Sequence, residues 1–345
     1  ECDQQVYTLS EATGMNITKL KELISKDTNE QNINEQGRFD ELIRFSEQRI
    51  SMQFEMLLKL VREKDSDGEG ENLTDLLMVT GPSASGKTTT SNLLAKYLSE
   101  DGYNCTVISL DDYYFDAEVT QRKQIEMGLV PEGSNDFDYE TIDAIDVNYF
   151  RQQMKEYTLG KSITPPKYDF TIGKRVKGTK TIESTHKDMI ILEGIHSFNP
   201  ILTEGLKFDT SIKIYISPFD SYKSQYKEEN YLIEPHQIRF MRRAIRDSVH
   251  RAAPLGRTMD MWKGVRRGEK NYMKPLVPYA DIFINTSHEY EISYLKKKIF
   301  DILDKSSDSD KKRFCDVIPI EALYPFQGKD GFEIPENSLF NEFYM

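Results

Sequence analysis

The chain has 345 residues, 38% of them hydrophobic and 30% charged, and a formal net charge of -12. That is enough for one substantial α/β core with extra segments, and the acidic balance argues against a protein whose main work is coating nucleic acid, so no stable nucleic-acid binding is expected. No run approaches the roughly eighteen apolar residues that span a bilayer, and the polar start lacks a signal-peptide core, so no membrane association and a cytoplasmic location are expected.

The sequence opens on Glu1 rather than Met, so a natural N-terminal part is expected to be missing. The first clear element is a long amphipathic helix over about 39–61, where Phe39, Leu42, Ile43, Ile50, Phe54, Leu57, Leu58 and Val61 recur at helical spacing. The charged, glycine-containing stretch from Lys64 to Glu71 reads as a flexible linker. It gives a domain plan of an N-terminal helical segment and linker over 1–70, a central domain over 71–310 and a tail over 311–345.

Next comes a short apolar run, Leu76 to Thr80, then Gly81-Pro82-Ser83-Ala84-Ser85-Gly86-Lys87-Thr88, then helical spacing of Leu93, Leu94, Tyr97 and Leu98. This is the phosphate-binding pattern G-x-x-x-x-G-K-[ST] in its proper strand-to-helix setting. Glycines let backbone N–H groups turn toward phosphate oxygens, and the helix beyond the loop points its positive end at them. Lys87 is expected to reach the terminal phosphates of a nucleoside triphosphate and Thr88 to hold Mg²⁺. Gly81, Ser83, Ala84, Ser85, Gly86 and Thr89 complete the expected ATP-binding loop.

Further strands are expected at 106–110, 189–192, 212–216 and 281–284, alternating with helical stretches, which implies a doubly wound, mostly parallel sheet. Cys105, at the head of the first of these apolar stretches, reads as a buried thiol; Cys2, Cys105 and Cys315 are too far apart to suggest a zinc site or disulfide framework. Asp111 and Asp112 close the second strand, where ligands bind in such sheets, and strand alternation should aim only one of them at the phosphates. Asp112 is equally consistent with capping the next helix. Glu193 ends the third strand candidate, where a carboxylate assists the metal in phosphoryl transfer. Arg239, Arg243 and Arg246 share one helical face, with Arg242 beside it and Arg251 a turn later; such a run is either a solvated face or a phosphate clamp. Arg266 and Arg267 read equally as a second phosphate-side patch or as surface. A last amphipathic helix carries Ile292 to Leu303, 305–310 reads as a polar linker, and 313–345 has no clear fold.

The order of these motifs resembles the uridine kinase and phosphoribulokinase superfamily. The resemblance runs through the phosphate loop, Leu110 to Tyr114, Asn135 to Asp138, Pro166 to Phe170, Leu192 to His196, Arg242 to Asp247 with Arg251, and Ala280 to Phe283. Glu193 to Pro200, Met261 to Lys270, Ile284 to Ser287 and Ile334 to Phe343 look in particular like nucleoside kinases with a threonyl-tRNA-synthetase-like N-terminal region, although no His-x-x-x-His pair of that region is present.

The resemblance implies a P-loop kinase with a helical lid and an N-terminal helical segment, which uses ATP and Mg²⁺ to phosphorylate the 5′-hydroxyl of uridine or cytidine in pyrimidine salvage. It assigns Lys87, Asp111, Arg243 and Arg246 to catalysis, and Arg251 with the loop to ATP. Thr88, Asp111 and Glu193 fall to the metal, and Asp138, Tyr168, Tyr113 and Arg246 to the nucleoside. Gly173 stands where pyrimidine kinases place a base-reading histidine, which leaves the base open. A kinase for another hydroxylated acceptor such as a sugar phosphate, a non-catalytic ATP sensor and a homo-oligomer are all compatible with the sequence.

Overall fold

The computed structural model describes residues 35–66, 74–134, 137–184, 188–206, 208, 210–251, 253–328 and 334–344. The chain divides into a unit of residues 1–41 and a unit of residues 42–345; among the described residues the first contributes only the opening turns of one helix.

The second unit is built on five parallel strands, β1 (Thr74–Thr80), β2 (Asn104–Ser109), β5 (Asp188–Glu193), β6 (Thr210–Ser217) and β9 (Ile282–Asn285), in the order β2-β5-β1-β6-β9. The pairing of Leu77 with Ile191 and Ile212, and of Val107 with Ile191, fixes the register. Period-two alternation sends Leu77, Val79, Ile191 and Ile214 into one apolar layer, and Leu76, Met78, Ile190 and Leu192 into the other. Both faces are covered, so the strands read as nearly continuous apolar runs. Cys105 of β2 is only half-buried, at the margin of the first layer, because β2 is an edge strand. All five carboxyl ends lie along one edge, with order reversing beside β1, where ligands bind in such sheets.

Helix α1 (Glu35–Ser66) and helix α2 (Lys87–Glu100) cover the first face; Ile50, Phe54, Leu57 and Val61 of α1 sit in the same cluster as Leu94 and Leu98 of α2. Helix α3 (Ala117–Glu126) flanks the site edge, and helix α4 (Val147–Thr158), whose Asp146 cap accepts from Tyr149 N at 3.2 Å, covers the second face through Phe150, Met154 and Tyr157. Helix α5 (Pro235–His250) begins at Pro235 and a reciprocal box between Glu234 and Gln237. Helix α6 (Leu255–Gly268) runs on into a π-helical turn, Glu269–Met273. Helix α7 (Glu291–Asp304) packs on α5. Among the described residues, no helix is long and apolar enough to cross a membrane.

Two polar hairpins, β3 (Lys167–Asp169) with β4 (Lys174–Val176) and β7 (Tyr222–Tyr226) with β8 (Glu229–Ile233), add to the expected strands. The expected linker at 305–310 is shorter than its composition suggests. Ser307 accepts from Asp310 N at 3.1 Å and caps helix α8 (Asp308–Val317), so the acidic residues open a helix, where its positive end favours them. At the other expected linker, Lys64 to Ser66 still belong to α1 and the remainder lies outside the described residues.

The 334–344 segment ends in a short helix, α9 (Asn341–Tyr344), and is anchored rather than loose. Leu339 enters the α1/α2 layer, Phe340 meets His288, Tyr290 and Tyr294, and Phe343 lies under the Arg242 guanidinium at 4.8 Å. All three are at most 2% exposed, and each such burial stabilises by about 1.5–3 kcal/mol. Ser338 adds a hydrogen bond to Glu47 Oε1 at 2.6 Å.

Candidate active site at the carboxyl edge of the sheet

The phosphate loop leaves β1 at Gly81, where a Cβ would lie 2.2 Å from the Ile216 carbonyl oxygen, so only glycine lets the loop pass the neighbouring strand. The turn closes with Ser85 N donating to the Pro82 carbonyl at 3.2 Å, and Ala84 takes a left-handed φ of 58°. Thr286 Oγ1, just after β9, secures it by donating to the Ser85 carbonyl at 2.8 Å. Lys87 Nζ curls back over the loop to the Pro82 carbonyl at 3.3 Å, while Thr88 is exposed at the site edge.

Thr88 Oγ1 donates to Glu193 Oε1 at 3.1 Å. Glu193 is 1% exposed and its Oε2 is buried without a hydrogen-bond partner. Burial and the nearby Asp111 charge push its carboxyl up to about 7, against the pull of Lys87, Ser109 and Thr88. An orphaned carboxylate oxygen beside a hydroxyl and a second carboxylate is the hard oxygen set that Mg²⁺ takes when it shares a site with phosphate. The residues fit that ion.

Asp111 and Asp112 lie not on the strand but in a 3₁₀ turn, Leu110–Tyr113. They diverge as expected, for a different reason: successive residues of such a turn are about 120° apart. Asp112 caps no helix; it binds Lys167 Nζ at 2.9 Å and Tyr168 N at 3.2 Å, tying the β3–β4 hairpin to the sheet. The same turn corrects Tyr113, which is 0% exposed and donates its hydroxyl to Gln153 at 2.6 Å. Tyr113 is core, with no polar group left to offer a substrate. Its neighbour Tyr114 instead meets the Tyr168 ring edge-on at 5.6 Å, and Tyr168 meets Phe170 at 4.9 Å.

Asp138 is oriented from two sides: Oδ1 accepts from Glu140 N at 2.9 Å and Oδ2 from the Tyr272 hydroxyl at 2.7 Å. Tyr272 rides on the π-helical turn after α6, where no sequence motif marks it. The His196 ring lies 5.9 Å from that of Tyr272, and its Nε2 bonds the Glu140 carbonyl at 2.7 Å. Burial lowers the His196 value, so the ring is neutral. Glu140 is itself raised to about 7, by burial and by Asp111 and Glu269, with Arg243 and Lys87 opposing. The site thus gathers three carboxylates, Asp111, Glu140 and Glu193, around the Lys87 and Arg243 charges. The motif partners Asn135 and Asp136 lie outside the described residues. Gly173 sits in the β3–β4 turn with φ 65° and accepts from Ala117 N at 2.9 Å.

Helix α5 closes on the loop through Ser83. Arg243 Nη1 donates to Ser83 Oγ at 2.7 Å, Arg239 Nη1 to the Ser83 carbonyl at 3.0 Å, and Glu269 Oε1 accepts from Ser83 N at 3.2 Å. Arg239 and Glu269 form a buried pair, with a second contact of 3.0 Å. Arg243, Arg246 and Arg251 converge on Asp247 at 3.3, 3.2 and 3.3 Å. Burial opposes it, but these three arginines hold Asp247 below the usual carboxylate range. Arg251 also lies 4.3 Å over the Phe170 ring. Arg242 turns the other way, buried on Glu291 at 2.7 Å and the Thr286 carbonyl at 2.7 Å. Arg266 reaches Glu269 at 3.2 Å.

A family model for the phosphoribulokinase/uridine kinase family matches residues 76–227. The chain is 28% identical over 244 residues to a uridine kinase of Borrelia duttonii, an overlap covering 68% of this chain and 98% of that protein. It is 30% identical over 230 residues to a uridine kinase of Limosilactobacillus reuteri, covering 66% of this chain and 91% of that protein. The solved structure of a possible uridine kinase from Bacillus stearothermophilus is 17% identical and aligns over 68% of this chain and 98% of that one, with a TM-score of 0.41.

Proposed function

We propose that this chain, which belongs to the phosphoribulokinase/uridine kinase family, transfers the terminal phosphoryl group of ATP to the 5′-hydroxyl of a ribonucleoside, with uridine, after which its relatives are named, or cytidine as the acceptor. The observation that carries the reading is the presence of two separate carboxylate clusters at one edge of the sheet: Glu193 and Asp111 with Thr88 beside Lys87, and Asp138 fixed by Tyr272 and Glu140 N. Phosphoryl transfer is catalysed mainly by positioning and charge neutralisation, which this arrangement can supply. Mg²⁺, held by Thr88, Glu193 and Asp111, would neutralise the phosphate oxygens when ATP is bound.

On this reading Lys87 balances charge on the phosphates and Asp111 takes the proton of the attacking hydroxyl. Asp138 accepts from the ribose hydroxyls, its second oxygen already fixed by Tyr272, so that an acceptor lacking one hydroxyl leaves a carboxylate underpaired. Tyr168 and Tyr114 provide an aromatic wall. Arg243, Arg246 and Arg251 belong to the lid: Arg243 already rests on the loop, and Arg246 and Arg251 are poised on Asp247, from which a phosphate can recruit them. ATP, Mg²⁺ and a nucleoside are then the partners, and the cytoplasm, where ATP and nucleosides meet, is the proposed location. The motifs at 261–270 and 334–343 group it, on this reading, with the nucleoside kinases that carry a synthetase-like N-terminal region.

The test is a panel of ribonucleosides, 2′-deoxynucleosides and sugar phosphates with radiolabelled ATP. Labelled uridine or cytidine monophosphate is expected, with weak turnover of the deoxy compounds. Transfer to sugar phosphates alone would overturn the acceptor, and transfer to nothing would overturn the enzyme.

A further inference from the structure

The 334–344 segment places a carboxylate against the first turn of the phosphate-loop helix. Glu342 Oε2 accepts the Thr89 hydroxyl at 2.6 Å. Helix α2 has no acidic residue in its first turn and no side-chain cap of its own. The positive end of that helix, which would attract a nucleotide's phosphates, is therefore approached here by a carboxylate from 253 residues away in sequence. The adjacent Phe343 lies under Arg242 of the lid helix, so consecutive residues touch both the loop helix and the lid.

We propose that Glu342 is a positioning residue of the nucleotide site that competes with bound ATP for the Thr89 hydroxyl and thereby sets the affinity for ATP. The proposal rests on reading the phosphate loop as the nucleotide site and is independent of the acceptor. A hydroxyl has one proton; donated to Glu342, it is withheld from a phosphate oxygen, and the carboxylate charge repels the phosphate chain besides. The anchors of the segment, Leu339, Phe340 and Phe343, are apolar and do not involve Glu342, so the hydrogen bond can exchange while the segment stays docked.

Calorimetric titration of ATP into the full chain, Glu342→Gln and Glu342→Ala tests this. Both variants should bind ATP about three- to tenfold more tightly, the size expected for removing one partly screened like charge. KM for ATP should fall in parallel and KM for the nucleoside should stay put. A purely structural pin would lower the melting temperature and leave ATP affinity unchanged or weaker; that result, or failure of both variants to fold, overturns the proposal. Tighter ATP binding without transfer to any acceptor would uphold the role of Glu342 and sink the nucleoside reading, whereas nucleoside phosphorylation with unaltered ATP affinity would do the reverse.

Discussion

Replacing Glu193 with glutamine should take turnover away and give stability back, and the balance should depend on pH. Glu193 is 1% exposed, accepts from Thr88 with one oxygen and leaves the other without a partner. Burial first, and then Asp111, raise it from the ordinary glutamate value of 4.5 to about 7. A carboxyl raised in this way holds its proton more firmly folded than unfolded, so its ionisation works against the fold. The penalty is absent below about pH 4.5, grows through neutrality and is complete above about pH 7. The interval between those values corresponds to about 3 kcal/mol at about 1.4 kcal/mol per pH unit, and the buried amide that replaces the charge gives back part of it.

We therefore expect Glu193→Gln to be more stable than the parent by about 1–3 kcal/mol at pH 8, a melting shift of about 1–4 °C, and nearly equal to it at pH 5. Its kcat should fall by about a hundredfold or more, because a neutral amide would hold the Mg²⁺ that neutralises the phosphate oxygens far less strongly than a carboxylate does. Scanning calorimetry of both proteins without nucleotide at the two pH values is the assay. A variant that is no more stable than the parent at pH 8, or whose gain is the same at pH 5, refutes the argument that desolvation dominates this site.

Lys87→Ala should cut kcat by about two to four orders of magnitude with the melting temperature preserved; turnover within threefold of the parent would remove Lys87 from the mechanism. Asp111→Asn and Asp138→Asn should give different phenotypes, the first a kcat loss of about a hundredfold with nucleoside affinity largely kept, the second a large rise in nucleoside KM. Equal phenotypes in steady-state kinetics would mean that the two carboxylates do not divide the acceptor as proposed. Gly268→Ala would set a methyl 2.3 Å from Glu140 Cβ, so it should destabilise by about 1–3 kcal/mol and raise nucleoside KM by shifting the Asp138 loop. Unchanged denaturant midpoint and KM would show that the loop yields freely.

The strands of the sheet were legible because each carries a short apolar run, most continuous in β1 and β6, where most residues are buried, and the phosphate loop because its residue types follow from backbone geometry. The hairpins were not: β3 and β4 are three-residue strands of mostly polar residues with no alternation to detect. Tyr113 and Tyr114 show why neighbours defeat sequence reasoning. They are chemically alike and adjacent, and only the sense of a 3₁₀ turn decides which is core and which faces Tyr168. Asp138 was readable from its motif, but its partner Tyr272 lies 134 residues on, in a π-helical turn with no local signature. The arginine run also splits: Arg243 meets the loop, whereas Arg242, one position earlier, is pinned inward by Glu291.

The interlock of Glu47, Ser338 and Tyr290 has a consequence for how the protein is made. Tyr290 and Ser338 both donate to Glu47 Oε1, at 2.7 and 2.6 Å, so the polar knot joins α1, the start of α7 and the 334–344 segment. A nascent chain has the sheet and lid available for pairing well before residues 338–343 leave the ribosome. Until they do, the hydrophobic seats of Leu339, Phe340 and Phe343 stand open to water and to other chains. Insertion of this short plug thus comes later than synthesis of the sheet, and in the interval between them, set by translation at about 5–20 residues per second, its seats are exposed apolar surface.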